Sequence, residues 1–133
     1  MSFVHHVRPR YAEVDAQGVV FNAHWLTYFD EASTRFFESL GFEPATVFFR
    51  EFDVMVVKAV VEWQGPAGFD DVVEIAVVPT RLGNSSLDVT YTARVDGDAV
   101  CTGTITYVSV KPGTHESATI PEDLRAKLFA ASA

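Results

Sequence analysis

An α+β domain, one long buried helix lying across a single antiparallel sheet, is what the order of elements in this chain predicts. Three observations carry that expectation. Between about Ala23 and Leu40 the apolar residues recur at helical spacing, and strand-like runs follow in close succession. Asp96-Gly97 separates the last two runs, and an Asp-Gly pair between β-rich segments is the strongest short-range hairpin signal. The 133 residues, 48% of them hydrophobic, suffice for one domain spanning 1–133 with a real core.

Taken in order, His5 to Tyr11 reads as a short strand broken by Pro9, which suits a sheet edge. Residues 12 to 21 read as a loop, where Gly18 permits a turn that other residues resist. In the helix, Trp25, Tyr28, Phe29, Ala32, Phe36 and Leu40 make one wide apolar stripe. Thr27, Asp30, Glu31, Thr34, Arg35 and Glu38 take the other side, with Glu31 and Arg35 four apart in the favourable order. Asn22 stands where an N-cap belongs and Gly41 where a C-cap does. A short connection, Pro44 to Glu51, leads to strands at Val54 to Trp63, Val72 to Leu82, Leu87 to Val95 and Val100 to Val110. In the second of these, Val73, Ile75 and Val77 share one face and Val72, Glu74 and Ala76 the other. GPAGFDD and GNSS supply the intervening turns, Pro112 and Gly113 end the last strand, and a short helix is expected from about Pro121 to Phe129.

Composition excludes several functions. Eighteen acidic against ten basic residues give a formal net charge of -8, the wrong sign for a nucleic-acid or anionic-membrane surface. A lone cysteine, Cys101, rules out an internal disulfide and a multi-cysteine zinc site. His5 and His6 point to opposite faces of a strand, and His24 and His115 add no ligand spacing, so no metal is expected. The N-terminus MSFVHHVRPR lacks a long apolar run, and no segment approaches the roughly 20 apolar residues of a membrane span. A cytoplasmic protein is the expectation.

Among nucleophiles, Cys101 sits inside a strand with no helix start near it, and the serines lack a Gly-x-Ser-x-Gly setting. Asp15 is different. It lies seven residues before Asn22 in a loop of mostly apolar neighbours, just ahead of a helix start. Unpaired amides there stabilise an oxyanion, and a nearby carboxylate attacks a carbonyl or activates a water. From spacing alone, the plainer reading of Asp15 is a turn residue bonding its own backbone.

Residues 10 to 25, RYAEVDAQGVVFNAHW, resemble the signature of the 4-hydroxybenzoyl-CoA thioesterase group of the hot-dog fold superfamily. The resemblance extends through YFDEA at 28 to 32, WQGPAGFDDVVEI at 63 to 75, RLGNSS at 81 to 86, DGDAV and ITYVSVKPG. It implies a sheet wrapped around the long helix, with Asp15 as the catalytic carboxylate. It further implies that the backbone amide of Asn22 polarises the thioester carbonyl and that Gly18 shapes the loop. Members often carry Thr or Cys where Val14 stands, and some carry Tyr or His at Asn22. A second branch of the superfamily places its carboxylate on the helix, near Asp30 and Glu31.

The resemblance implies hydrolysis of acyl-CoA to carboxylate and free CoA, with Asp15 as nucleophile or general base. No separate cofactor is implied, because coenzyme A is part of the substrate. Arg81, Gly83, Asn84, Ser85 and Ser86 are the candidate contacts to its phosphates, with Lys111 as a further basic residue. The alternatives are a hot-dog hydratase or dehydratase, for which no His-containing hydratase segment is visible, and a non-catalytic acyl-CoA binding module. Relatives assemble as homodimers or homotetramers, and the same is expected here. The Phe42, Phe48, Phe49 and Phe52 group suits an acyl pocket or a core equally.

Overall fold

The computed structural model describes residues 3–42 and 52–132. Strand β1 (Phe3–Val7) is followed by a single 3-10 turn (Tyr11–Glu13), helix α1 (His24–Ser39) and strand β2 (Asp53–Trp63). Strands β3 (Val73–Leu82), β4 (Ser86–Val95) and β5 (Asp98–Val110) come next, and helix α2 (Glu122–Ala131) ends the chain. The five strands form one sheet in the order β1-β3-β4-β5-β2, every pair antiparallel. The Arg8–Tyr11 part of the expected first strand is not strand: β1 stops at Val7, ahead of Pro9, and Tyr11 opens the 3-10 turn.

The helix follows its apolar stripe. Trp25, Tyr28, Phe29, Ala32, Phe36 and Phe37 are buried on the side facing the sheet. Opposite them lie Val73, Ile75 and Val77 of β3, Leu87, Val89, Tyr91 and Ala93 of β4, and Ile105 and Tyr107 of β5, all in one core. Phe29 stacks on Tyr91 with ring centroids 5.1 Å apart. The helix comes this close because β5 carries Gly103 beneath it. A Cβ there would stand 2.6 Å from Phe29 Cε2, closer than carbon atoms approach. Arg35 on the outer side bonds Glu31 (3.2 Å) and Glu38 (2.8 Å).

The helix end matches its sequence signal. Gly41 has φ of 100°, its N–H donates to Glu38 O at 2.9 Å, and Phe42 N–H donates to Phe37 O at 3.2 Å. This is a Schellman closure, which only a residue at ease with positive φ completes without strain. The start differs from expectation. Ala23, not Asn22, is the N-cap, and no side-chain oxygen caps the helix. Instead a tight turn, His24 N–H to Phe21 O at 2.9 Å, leads in. The hairpin between β4 and β5 has positive φ at both Asp96 (51°) and Gly97 (86°), the pairing an Asp-Gly turn favours.

The sheet curves over α1 in a hot-dog arrangement, as the resemblance implied. Phe42 and Phe52 are buried with their rings 5.1 Å apart, so these two belong to the core. Phe48, Phe49 and the 44–51 connection lie outside the described residues.

Candidate active site

The loop before α1 is a small ribbon. Asp15 N–H donates to Val19 O (2.8 Å), Phe21 N–H to Glu13 O (2.9 Å), and Gly18, with φ of 78°, turns the tip. Val20 N–H then donates to Ala67 O at 2.8 Å, and Val19 bridges Gly68, so the turn after β2 clasps the ribbon from the far side. The approach is close at Gly68, where a Cβ would stand 3.3 Å from the Gly18 carbonyl oxygen.

Asp15 is half-buried at this ribbon. One carboxylate oxygen, Oδ1, accepts Gln17 N–H at 2.8 Å, so the turn-residue reading describes part of its geometry. The other, Oδ2, has no hydrogen-bond partner among the described residues. Asn22 is exposed, and its backbone N–H, like that of Ala23, has no acceptor among the described residues. A cleft of about 560 Å³ brings Asp15 and Asn22 together, with Gln17, Val19, Trp25, Trp63, Gln64 and Pro66 on its walls. Gly18 lies on the opposite side of the loop, in a second depression shared with Asp15, Tyr11 and Phe69.

A carboxylate with one unbonded oxygen and a helix-start residue with a free amide, both lining one partly apolar cleft, suit attack on a carbonyl whose oxygen gains negative charge. The cleft walls at Trp25, Trp63 and Gln64 were not singled out by sequence. The signal that could have found Trp63 and Gln64 is their place immediately before the Pro66-Ala67 turn that grips the ribbon.

The residues read as phosphate contacts lie elsewhere. The turn 83–86 is at the far end of β3 from the ribbon, on the order of 30 Å away along the ten-residue strand. Within one chain the two groups do not meet. Arg81 is engaged by Asp88, with Nε to Oδ2 at 2.9 Å and Nη2 to Oδ1 at 3.1 Å, and it also donates to Ser86 Oγ. The pairing raises the Arg81 guanidinium pKa and, together with the Thr106 hydroxyl, holds the Asp88 carboxyl below its ordinary range despite partial burial. The carbonyls of Gly83 and Asn84 accept Arg125 at 2.6 and 3.1 Å, and Asn84 O also accepts Ile120 N–H. Ser85 O accepts Ser109 N–H at 2.7 Å. With the carbonyls directed inward, the N–H groups of Asn84 and Ser85 have no acceptor among the described residues. Lys111 borders a separate depression beside Phe52 and Pro121.

Other candidates are placed as the sequence expected. Asp30 and Glu31 are exposed on the outer side of α1, away from the cleft. Cys101 is fully buried, and burial pushes its thiol up to about 12, which keeps it protonated and inert. No group of three or more potential metal ligands forms among the described residues, nor is any helix there long and apolar enough to cross a membrane.

The model of the thioesterase-like superfamily matches residues 9–128, nearly the whole chain. Over 81 residues, 61% of this chain and 60% of the other, it is 31% identical to the acyl-CoA thioester hydrolase YbgC of Escherichia coli. It is 28% identical to the 1,4-dihydroxy-2-naphthoyl-CoA hydrolase of Synechococcus elongatus over 118 residues, 87% of each chain. The crystal structure of protein TT1821 from Thermus thermophilus superposes with a TM-score of 0.90 at 27% identity, covering 100% of this chain and 99% of that one. A match to the family over most of the length, on a sheet wrapped around α1, leaves one assignment: the chain belongs to the thioesterase-like superfamily and is a thioester hydrolase.

Proposed function

We propose that this protein hydrolyses acyl-CoA thioesters, with Asp15 as the reacting carboxylate and the Asn22 amide as the oxyanion donor. The observation that carries the reading is one cleft lined by both Asp15, whose Oδ2 has no hydrogen-bond partner among the described residues, and Asn22, whose N–H has no acceptor among them. Two routes use that geometry. In one, Oδ2 attacks the thioester carbon, the C–S bond breaks, CoA leaves as thiolate, and water cleaves the resulting anhydride. In the other, Oδ2 takes a proton from a water that attacks the same carbon. In both, the amide hydrogen-bonds the oxygen that gains charge. None of the four histidines borders the cleft, which counts against a His-dependent hydratase.

The acyl-CoA assignment draws on the relatives, two of which are named as acyl-CoA and naphthoyl-CoA hydrolases. It has support in the turn 83–86, whose outward N–H groups at Asn84 and Ser85 suit phosphate oxygens. Because that turn is on the order of 30 Å from Asp15 in the same chain, the proposal places CoA between two subunits. Strand β2 is the candidate seam. It is a sheet edge of eleven residues, with Met55, Val56, Val57, Val60 and Trp63 exposed, and such an edge invites pairing with a second copy. A homodimer, or a homotetramer built from it, follows.

The test is turnover of a panel of short-chain, long-chain and aromatic acyl-CoAs by the unmodified protein and by Asp15→Asn. Hydrolysis by the first and a loss of at least about 10²-fold in the second are expected, the usual scale for removing a general base or more. Equal rates would sink the Asp15 assignment, and no hydrolysis of any member would sink the acyl-CoA reading.

A further inference from the structure

The only charged side chain buried among the described residues belongs to Glu13, and it lies outside the Asp15 cleft. A buried carboxylate is costly unless several donors meet it. Three do. Oε1 accepts Arg10 N–H at 2.8 Å and the Tyr28 hydroxyl at 2.9 Å, and Oε2 accepts the Arg10 guanidinium at 3.2 Å. Burial alone would raise the Glu13 pKa, but these bonds outweigh it and hold it below its ordinary range.

Position gives the arrangement its meaning. Glu13 stands two residues before Asp15, at the base of the ribbon, and its own carbonyl accepts Phe21 N–H one residue before Asn22. Tyr28 is on α1, about a turn and a half beyond Asn22. Its ring is buried and packs edge-on against Trp25, a wall of the cleft, at 5.5 Å. The Arg10 contacts are local, three residues away, and Arg10 is exposed. Among the described residues, the Tyr28 bond is therefore the one side-chain hydrogen bond that runs from the base of the ribbon to the body of the helix.

We propose that Glu13 and Tyr28 are positioning residues, whose hydrogen bond fixes the Asp15 carboxylate relative to the amides at the start of α1. This inference rests on the catalytic reading of Asp15 and deepens it. A carboxylate on a loop must be held against the oxyanion donors to within fractions of an ångström, and small misplacements are expensive in rate. Neither Glu13 nor Tyr28 borders the cleft, so loosening the tie leaves binding intact and lowers kcat.

The experiment compares Tyr28→Phe, Glu13→Ala, Glu13→Gln and the double variant Glu13→Ala/Tyr28→Phe on the best substrate of the acyl-CoA panel. Affinity for a non-hydrolysable thioether analogue of that substrate is measured alongside, and rates are corrected for folded fraction. Tyr28→Phe and Glu13→Ala are each expected to lose about tenfold in kcat, with KM and analogue affinity within about twofold of the unmodified protein. The double variant should be no slower than the worse single one, since both remove the same bond. Glu13→Gln keeps Oε1 as acceptor for both Arg10 N–H and Tyr28, and should recover most of the rate. Tyr28→Phe deletes one hydroxyl and carries the test alone if Glu13→Ala fails to fold. Unchanged kcat in Tyr28→Phe, or a loss matched by an equal loss of analogue binding, overturns the proposal. Asp15→Asn separates the two levels. If it is inactive while Tyr28→Phe is normal, only the positioning role fails; if it is fully active, the catalytic reading fails and the positioning role with it.

Discussion

The two ends of β3 treat their polar groups in opposite ways. At the Val73 end, the ribbon of residues 13–21 and the turn at 66–68 hydrogen-bond to one another through the backbone, yet Asp15 Oδ2 and the amide of Asn22 have no partner among the described residues, and both residues line a cleft. At the Leu82 end, Arg81 and Asp88 neutralise each other, and Arg125 with the 109–120 segment takes up the carbonyls of the 83–86 turn. One end leaves a carboxylate oxygen unpaired beside a cleft, and the other is largely tied into itself, with the N–H groups of Asn84 and Ser85 lacking acceptors among the described residues. The unpaired carboxylate oxygen at the first end is what the proposed role of Asp15 requires.

The largest effect that would break this contrast is at the open end. Asp15→Asn should cost at least about 10²-fold in turnover while the melting temperature stays near that of the unmodified protein, because only one of its oxygens bonds the backbone. Steady-state kinetics with a thermal melt check both halves. A melting temperature that falls with the rate would place Asp15 among structural turn residues.

Between the two ends, helix and sheet meet at Gly103. Gly103→Ala pushes a methyl carbon into the Phe29 ring, 2.6 Å from Cε2, and should destabilise by about 1–3 kcal/mol in urea unfolding. The phenyl ring is stacked on Tyr91 and cannot swing away freely. An unchanged urea midpoint would show that the core yields more than the packing implies.

At the closed end, Arg125→Met removes the guanidinium that binds Gly83 O and Asn84 O. A loss of about 1–2 kcal/mol in stability is expected, as for a charge-assisted bond that solvent partly replaces. If the turn binds CoA phosphates, KM should rise while kcat is nearly unchanged. A fall in kcat with KM constant would contradict the division of labour between the two ends.

Acid sharpens the same comparison, because each end contains a carboxylate with a lowered pKa, Glu13 at one and Asp88 at the other. A carboxyl group whose folded pKa lies below its unfolded one stabilises the fold above the unfolded value. That contribution is lost as pH falls through the folded value. Stability should therefore hold between neutrality and the ordinary carboxylate range and decline below it, and Glu13→Gln should reduce the slope of the decline. Urea midpoints measured from pH 7 to pH 3 check this. Smallest of all is Glu31→Gln, which removes one member of an exposed ion pair on α1 and should leave turnover unchanged. Loss of activity there would move the chemistry onto the helix.

Local signals determined much of this protein before any tertiary contact is considered. The stripe from Trp25 to Phe36 specifies a helix and its buried side, and Gly41 ends it. The alternation in β3 assigns its faces, and Asp96-Gly97 sets the last hairpin, since backbone preferences and side-chain period act over a few residues. The motif around Asp15 was legible too, through its resemblance to a thioesterase signature. What only the tertiary structure decided depends on residues far apart in sequence. It placed β1 beside β3 and β2 at the opposite edge, by pairings between residues 38 to 74 positions apart. It put Ala23 rather than Asn22 at the helix cap, and the Ala67–Gly68 turn against the Gly18 loop. It also buried Glu13, a residue type that is rarely buried unpaired, because Tyr28 approaches it only once the helix lies across the sheet. Short-range preferences choose the elements, whereas burial and the pairing of every backbone group choose which distant elements meet.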